Sequence, residues 1–416
     1  MMSITGLAIT DLPAGDGVSD VLQIRGTTAS SRINITQTSA GLVVSNNGSS
    51  ETFTGNYSSL QVFGGAGNDS IIINPSVDID ATLYGGAGRN TLQGGSGNDT
   101  LVCIGSKADT LIGGAGLDSF WTDNSATEKI VGVQPDEIAA GAVHRVGSVF
   151  TGAGVVSTAN RTAKTKSARV AALVEPATTD GSTYQDFSSD PLFSTAGPSE
   201  NDIRQGDIGD CFFLSTLSAV AKVDPQRIRQ SMLEMSDGTY LVQFTRGNSK
   251  VYIHIDGKLP TFDGQLDYAQ LGAQNSTWVA LMEKAFVVFN GKPNSYSSID
   301  GGWMDSAFSA LGGQPADIIS AANPASLLAQ TTSLLAAGKA VTFGVETPAD
   351  GAPLLSDHAY TVDSVVTDST GAVVGLRLRN PWGVDGVGND GDDDGYVTVT
   401  AQQAYDSCIG IVSAAM

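Results

Sequence analysis

A nonapeptide repeated in near-register constrains this chain more than any other feature. Residues 64–72 read GGAGNDSII, 85–93 GGAGRNTLQ, 94–102 GGSGNDTLV and 113–121 GGAGLDSFW, with a worn copy, IGSKADTLI, at 104–112. The shared form is G-G-x-G-x-D-x-U-x, with U apolar. Its glycines admit backbone angles closed to other residues, so the chain turns tightly and approaches a cation closely. The Asp is a hard oxygen ligand suited to calcium. The apolar residue two places later starts a short inward-pointing strand, and stacked copies bury it. The expectation is an all-β parallel β-roll with calcium ions held between successive turns. Turns on one side come from alternate copies. Asp99 and Asp118, with Gly94, Gly97, Gly113 and Gly116, therefore make one ligand set, and Asn90 with Asp109 the other. The second set has Asn in place of one Asp, and one of its copies lacks the glycine pair. Asp69 lies upstream of an insert that contains Asp78 and Asp80, and is placed at the start of a second short stack.

These copies resemble the calcium-binding repeats of the RTX (haemolysin-type) proteins over about 60 residues. Residues 1–60 alternate in the manner of strands, as in VLQIRG and RINITQTSAGLVVSN, and read as a β-rich cap on the stack. A length of 416 residues suits two or three domains, and most of the 50 glycines precede residue 125, so the two halves differ in kind.

The net charge is −21, from 22 basic and 43 acidic residues. Nucleic-acid binding needs clustered Lys and Arg to displace phosphate counterions, so that partner is excluded. The acidic surface suits divalent cations or a salty exterior. Three widely spaced cysteines, Cys103, Cys211 and Cys408, make no disulfide framework and leave at least one thiol free in a monomer. No stretch approaches the roughly 20 apolar residues of a spanning helix. The first residues lack the basic region of a standard signal peptide. The expected location is extracellular or at the cell surface, reached by another route, with the cytoplasm as the alternative. Residues 126–180 show little periodicity and read as a linker. Arg161, Lys164, Lys166 and Arg169 form a basic patch within it, either a solvated tether or a segment open to self-cleavage.

The second half carries the chemistry. In QGDIGDCFFLSTLSAVAKV, beginning at Gln205, the apolar residues Phe212, Leu214, Leu217 and Ala221 recur at helical spacing. Cys211 therefore starts a helix, where the helix dipole and unpaired N–H groups should lower its pKa. Asp210 opposes this unless its side chain caps the helix. Of three histidines, His144 lies in the poorly patterned segment and His254 alternates with apolar neighbours in VYIHIDG. His358, in SDHAYTVDSV, enters an apolar strand roughly 150 residues after the cysteine, a separation like that of papain-type peptidases. In LRLRNPWG, Asn380 ends a strand that Pro381 stops, and Trp382 is placed to cover it.

QGDIGDCFFL, DHAYTV and LRNPWG, with WVALMEKAFVVFNG and SYSSIDGG between them, resemble the calpain family of papain-fold cysteine peptidases in order, over about 230 residues. The resemblance implies Cys211 as nucleophile, His358 as general base and acid, and Asn380 as the residue orienting the imidazole. It implies Gln205, with the backbone N–H of Cys211, as oxyanion donors, and Trp382 as a shield. Gly301 and Gly302 match a pair that lines the family's substrate cleft. Phe212 and Asp357 stand where the family usually has Trp and Gly. Gly197 and Asp202 match part of a family calcium site whose acidic partner is here Ser297. The acidic run at 385–395, with Asp390, Asp392, Asp393 and Asp394, reads as a solvated loop or a calcium loop.

The expected architecture is multidomain. A β-roll domain spans 1–125 and an α+β, two-lobed papain-like (calpain core) peptidase spans 181–416. The Cys lobe is mainly helical to about residue 320, and a mainly β His/Asn lobe follows. The expected function is calcium-assisted endopeptidase hydrolysis of protein or peptide substrates. The alternatives are a calcium-dependent adhesion protein with an inert peptidase-like half, and an acyl transferase or deamidase on the same fold.

Overall fold

The computed structural model describes residues 4–13, 20–105, 108–157, 173–179, 181–291, 293–315, 321–388 and 392–416. The chain divides into two units: residues 1–149 with 154–172, and residues 150–153 with 173–416. The basic patch at 161–169 and Asp390 lie outside the described residues.

In the first unit, successive strands from Tyr57–Phe63 onward alternate between two sheets. Tyr57–Phe63, Asp80–Tyr84, Thr100–Cys103, Ser119–Asp123 and Val143–Val146 pair side by side in one, and Ser70–Ile73, Thr91–Gln93, Thr110–Ile112 and Lys129–Val131 in the other. All these pairings are parallel. The apolar position of every copy points inward: Ile71, Leu92, Leu101, Leu111 and Phe120 are fully buried. They stack in register, Leu101 opposite Leu83 and Phe120, Leu92 opposite Ile71 and Leu111. The glycines are needed for the spacing between turns. Gly88 sits at φ +121°, and a Cβ there would lie 1.8 Å from the Gly67 carbonyl oxygen. Strands Asp20–Arg25 and Arg32–Thr38 join the two sheets in parallel, and antiparallel neighbours flank them.

The strand-rich unit does not stop at residue 125. Lys129–Val131 and Val143–Val146 extend the two sheets, with a short helix, Pro135–Ala139, between them. These turns lack the glycine signature because Glu128 and Glu137 take over the role of the repeat Asp. His144 is no linker residue: it is buried and stacked on Trp121, ring centroids 3.7 Å apart.

The second unit holds two apolar cores. One gathers the helices Cys211–Val223, Trp278–Asn290 and Met304–Ala310 with the antiparallel strands Met232–Glu234, Thr239–Arg246 and Ser249–Asp256. The Cys-bearing half is thus mixed rather than mainly helical. Long β-branched and aromatic runs such as TYLVQFTR and KVYIHID favour strands there. The other core is built on an antiparallel sheet, ordered Gln314–Pro315, Cys408–Ala415, Ala340–Val345, His358–Thr367, Val373–Arg379 and Tyr396–Thr400. Helices Pro324–Ala336 and Ala401–Ser407 cover it.

Candidate active site and calcium columns

The helix Cys211–Val223 and the strand His358–Thr367 are bound together. Thr361 Oγ1 donates to the Ser215 carbonyl at 2.7 Å, and Lys222 pairs with Asp363. This places the start of the helix at the start of the strand. The Cys211 thiol receives the backbone N–H of Ala359, the residue after His358. His358 Nε2 and Asn380 Oδ1 are 2.9 Å apart. Asn380 Nδ2 donates to the Asp385 carbonyl at 3.2 Å, and the Trp382 N–H donates to Asn380 Oδ1 at 3.1 Å. These contacts fix the amide orientation, so Nε2 carries the imidazole proton and Nδ1 is left as the basic nitrogen. Asn380 is fully buried, and its own N–H donates to the Gly395 carbonyl. The acidic loop thus anchors the asparagine: Gly395 N–H donates to Asp385 Oδ1, and Asp385 N–H to Asp393 Oδ1. Trp382 meets the His358 ring edge-on, centroids 5.3 Å apart, and is itself 40% exposed.

Burial pushes the Cys211 thiol up to about 11, and the nearby Asp210 charge adds to this. The expected lowering at the helix start is overturned, because the thiol is desolvated and Asp210 makes no cap hydrogen bond. Burial also depresses the His358 pKa, against the opposing Asn380 hydrogen bond. Burial thus disfavours the charged form of each group. Gln205 Nε2 donates to the Ile208 carbonyl at 2.6 Å, which leaves its second amide hydrogen to spare. The Gly302 Cα faces the Phe212 ring so closely that a Cβ would lie 2.6 Å from it, and Gly301 N–H donates to the Gly209 carbonyl. Both glycines therefore border the segment that carries Cys211. Asp357 adopts φ +49°, the left-handed region that explains the glycine usual there. His254 is buried and bonded to Thr239 Oγ1 at 2.8 Å, away from this constellation. Asp202 accepts N–H groups from Ala273, Ser199 and Trp278, so internal donors occupy its oxygens.

In the first unit the repeat carboxylates form two columns. Asp118 Oδ1 accepts the Asp99 N–H, Asp99 Oδ1 the Ala81 N–H, and Glu137 Oε1 the Asp118 N–H. In the other column Asp69 Oδ1 accepts from Ser31, Asn90 Oδ1 from Asp69, Asp109 Oδ1 from Asn90, and Glu128 Oε2 from Asp109. Asp69 thus heads the Asn90/Asp109 column and does not start a separate stack; the insert supplies the strand Asp80–Tyr84, a rung of the other sheet, so the order is unbroken. Burial and mutual repulsion push Asp99 up to about 8, and burial pushes Asp118 up to about 7. Asp69 Oδ2 is buried without a hydrogen-bond donor. Asp99 Oδ2 also accepts the Gly95 N–H at 2.7 Å, so its oxygens are partly engaged; desolvated carboxylates of this kind are hard oxygen donors of the sort calcium takes. Asn90 fits less well, since its Nδ2 donates to the Gly86 carbonyl at 3.3 Å. Among the described residues, no three His, Cys, Asp or Glu side chains converge on one point. A ligand set here therefore means one carboxylate per turn supplemented by backbone oxygens.

Comparison with known proteins agrees with both halves. Residues 173–392 match the family described as calpain family cysteine protease. Residues 61–72, 79–102 and 105–126 match the RTX calcium-binding nonapeptide repeat. Calcium is accordingly the cofactor. Similar curated proteins include calpain clp-1 of Caenorhabditis elegans, 30% identical over 48% of this chain and 27% of its own length. The human calpain-2 catalytic subunit is 31% identical over 47% of this chain and 30% of its own. Mouse calpain-8 is 32% identical over 47% and 29%. The chain spans less than a third of the length of these relatives. Among the described residues no helix is long and apolar enough to cross a membrane.

Proposed function

Because this chain belongs to the calpain family of cysteine proteases, we propose that it is an endopeptidase that cleaves protein substrates through a Cys211 thioester. The observation that carries this reading is the His358–Asn380 hydrogen bond, with the Cys211 thiol held one residue away at Ala359. His358 Nδ1 takes the thiol proton as sulfur attacks the scissile carbonyl, then returns it to the leaving amine. Water hydrolyses the thioester in a second step, with the imidazole again as base. Gln205 and the Cys211 N–H donate to the oxyanion, while Gly301 and Gly302 receive the substrate backbone. The two cores of the second unit are read as the two lobes of a papain-like peptidase.

The first unit is read as a parallel β-roll. Asp99, Asp118, Asp109 and Asp69, with carbonyls of glycines such as Gly94, Gly97, Gly113 and Gly116, would hold calcium, and Asn90 marks the weaker turn. The ion supplies positive charge that offsets carboxylate repulsion within the columns.

Asn380 provides the test of the orienting role. Asn380→Ala should lower kcat on an unfolded protein substrate about 100-fold, the scale of a misplaced catalytic group, with KM little changed. Unimpaired hydrolysis by that variant would remove Asn380 from the site. A folded, calcium-loaded protein that leaves every substrate intact would instead favour a binding protein with an inert peptidase-like half.

A further inference from the structure

Asp210, the residue immediately before Cys211, is fully buried at the start of the helix, and its side chain caps nothing. Among the described residues, no N–H or O–H of another residue donates to either of its carboxyl oxygens. The side chain in hydrogen-bonding contact with it is the carboxyl of Glu283, on the helix Trp278–Asn290. Glu283 is also buried, and both its oxygens accept the Ala269 N–H, at 3.1 and 3.2 Å. The groups facing the pair do not neutralise it. Asp300 faces Asp210, the Cys211 thiol adjoins it, and Asp267 and the Tyr184 and Tyr296 hydroxyls face Glu283. Lys284, next along the helix, is directed to Glu175 and Asp256 at 2.6 and 2.8 Å. Two ionised carboxylates are acceptors only, and two touching buried anions without a cation are strongly disfavoured.

We propose that Asp210 and Glu283 share one proton, and that this acid–carboxylate bridge ties the start of the Cys211 helix to the helix Trp278–Asn290 and so positions the thiol. Both are positioning residues, and the proposal rests on reading Cys211 as the nucleophile. Burial raises both carboxyl pKa values above the ordinary range. A raised carboxyl contributes stability that is complete below its unfolded value and lost as pH rises through the folded one. Loss of the shared proton therefore loosens the helix start at alkaline pH. It also places a second negative charge near the forming thiolate.

The test uses the full chain with calcium, from pH 5 to 10. Glu283→Gln keeps a donor towards Asp210 but cannot titrate. Its kcat/KM should fall only about threefold at pH 7, against at least about thirtyfold for Glu283→Leu, on the scale of a displaced reacting group. The alkaline fall in kcat/KM should move up by about one pH unit or more in Glu283→Gln. Infrared spectra should show a protonated-carboxyl band at pH 7 in the parent chain that is lost in Glu283→Gln. Asp210→Asn, which also preserves one donor, supplies the same comparison if Glu283→Leu does not fold. Equal pH profiles for parent and Glu283→Gln, or no carboxyl band at pH 7, would overturn the proposal. The infrared band needs no peptidase activity, so failure of the nucleophile assignment would show as absent hydrolysis with the band intact.

Discussion

Cys211→Ala leaves a folded protein whose peptide hydrolysis has fallen by at least about four orders of magnitude, the loss seen when a nucleophile is removed from a unit that acts together. The size follows from the chemistry. Without sulfur no thioester forms, and neither the His358–Asn380 pair nor the oxyanion donors supply a nucleophile of their own. His358→Ala should cost nearly as much. The thiol, pushed up to about 11 by burial, needs a base to ionise near neutral pH. The double variant should be scarcely worse than either single one, because the two groups serve one step. Additive losses would mean that sulfur and imidazole act independently. The fold tolerates the change: Cys211 is only partly buried, and the helix behind it is held by Phe213, Leu214, Leu217 and Val220.

Withdrawal of calcium has the second large effect, on the first unit. Buried carboxylates in the columns are costly as anions, and burial pushes Asp99 up to about 8 and Asp118 up to about 7. In the absence of the ion, stability of the repeats is greatest at acid pH and is lost as pH rises through about 7 to 8. Calcium at about a hundredfold excess over its dissociation constant adds about 2.7 kcal/mol per site. For a unit of this size that raises the melting temperature by about 5–10 °C. The expected result is a calcium-dependent melting transition at pH 8 that shrinks towards pH 5, and that Asp118→Ala weakens. The matching change at Asn90 should matter less, since its amide already donates to a Gly86 carbonyl. Melting that ignores calcium at pH 8 would contradict the columns as ion sites.

Much of this was legible in the sequence because the signals are periodic or local. The nonapeptide places Ile71, Leu92, Leu101, Leu111 and Phe120 in one interior, since alternation along so short a strand fixes which side the repeated apolar position faces. The motifs around Cys211, His358 and Asn380 each carry their own turn or strand end, and the fold brings the last two into contact. What escaped was non-local. The Asp69 column is continuous because the insert, which lacks the glycine pattern, still forms the rung Asp80–Tyr84 of the other sheet, and spacing alone cannot show that. The unit runs on to residue 149 because Glu128 and Glu137 replace Asp at the column ends, a substitution no glycine pattern announces. The raised Cys211 pKa reflects desolvation by the whole unit, against which a helix start counts for less. Glu283 lies 73 residues from its partner Asp210, in a helix whose apolar pattern reads only as core.

Cys408 provides an internal control for the central claim, since burial also pushes it to about 11 and it too is partly exposed. Burial alone therefore does not distinguish the two thiols; under the proposed reading the His358–Asn380 pair does. The decisive measurement is the rate and site of alkylation by an epoxide thiol-peptidase inhibitor, read by peptide mass spectrometry on the parent chain and on His358→Ala. One label per chain is expected, on Cys211, with Cys103 and Cys408 untouched, and a rate at least about 100-fold slower without the imidazole. Labelling of Cys211 no faster than Cys408, or a rate indifferent to His358, would contradict it.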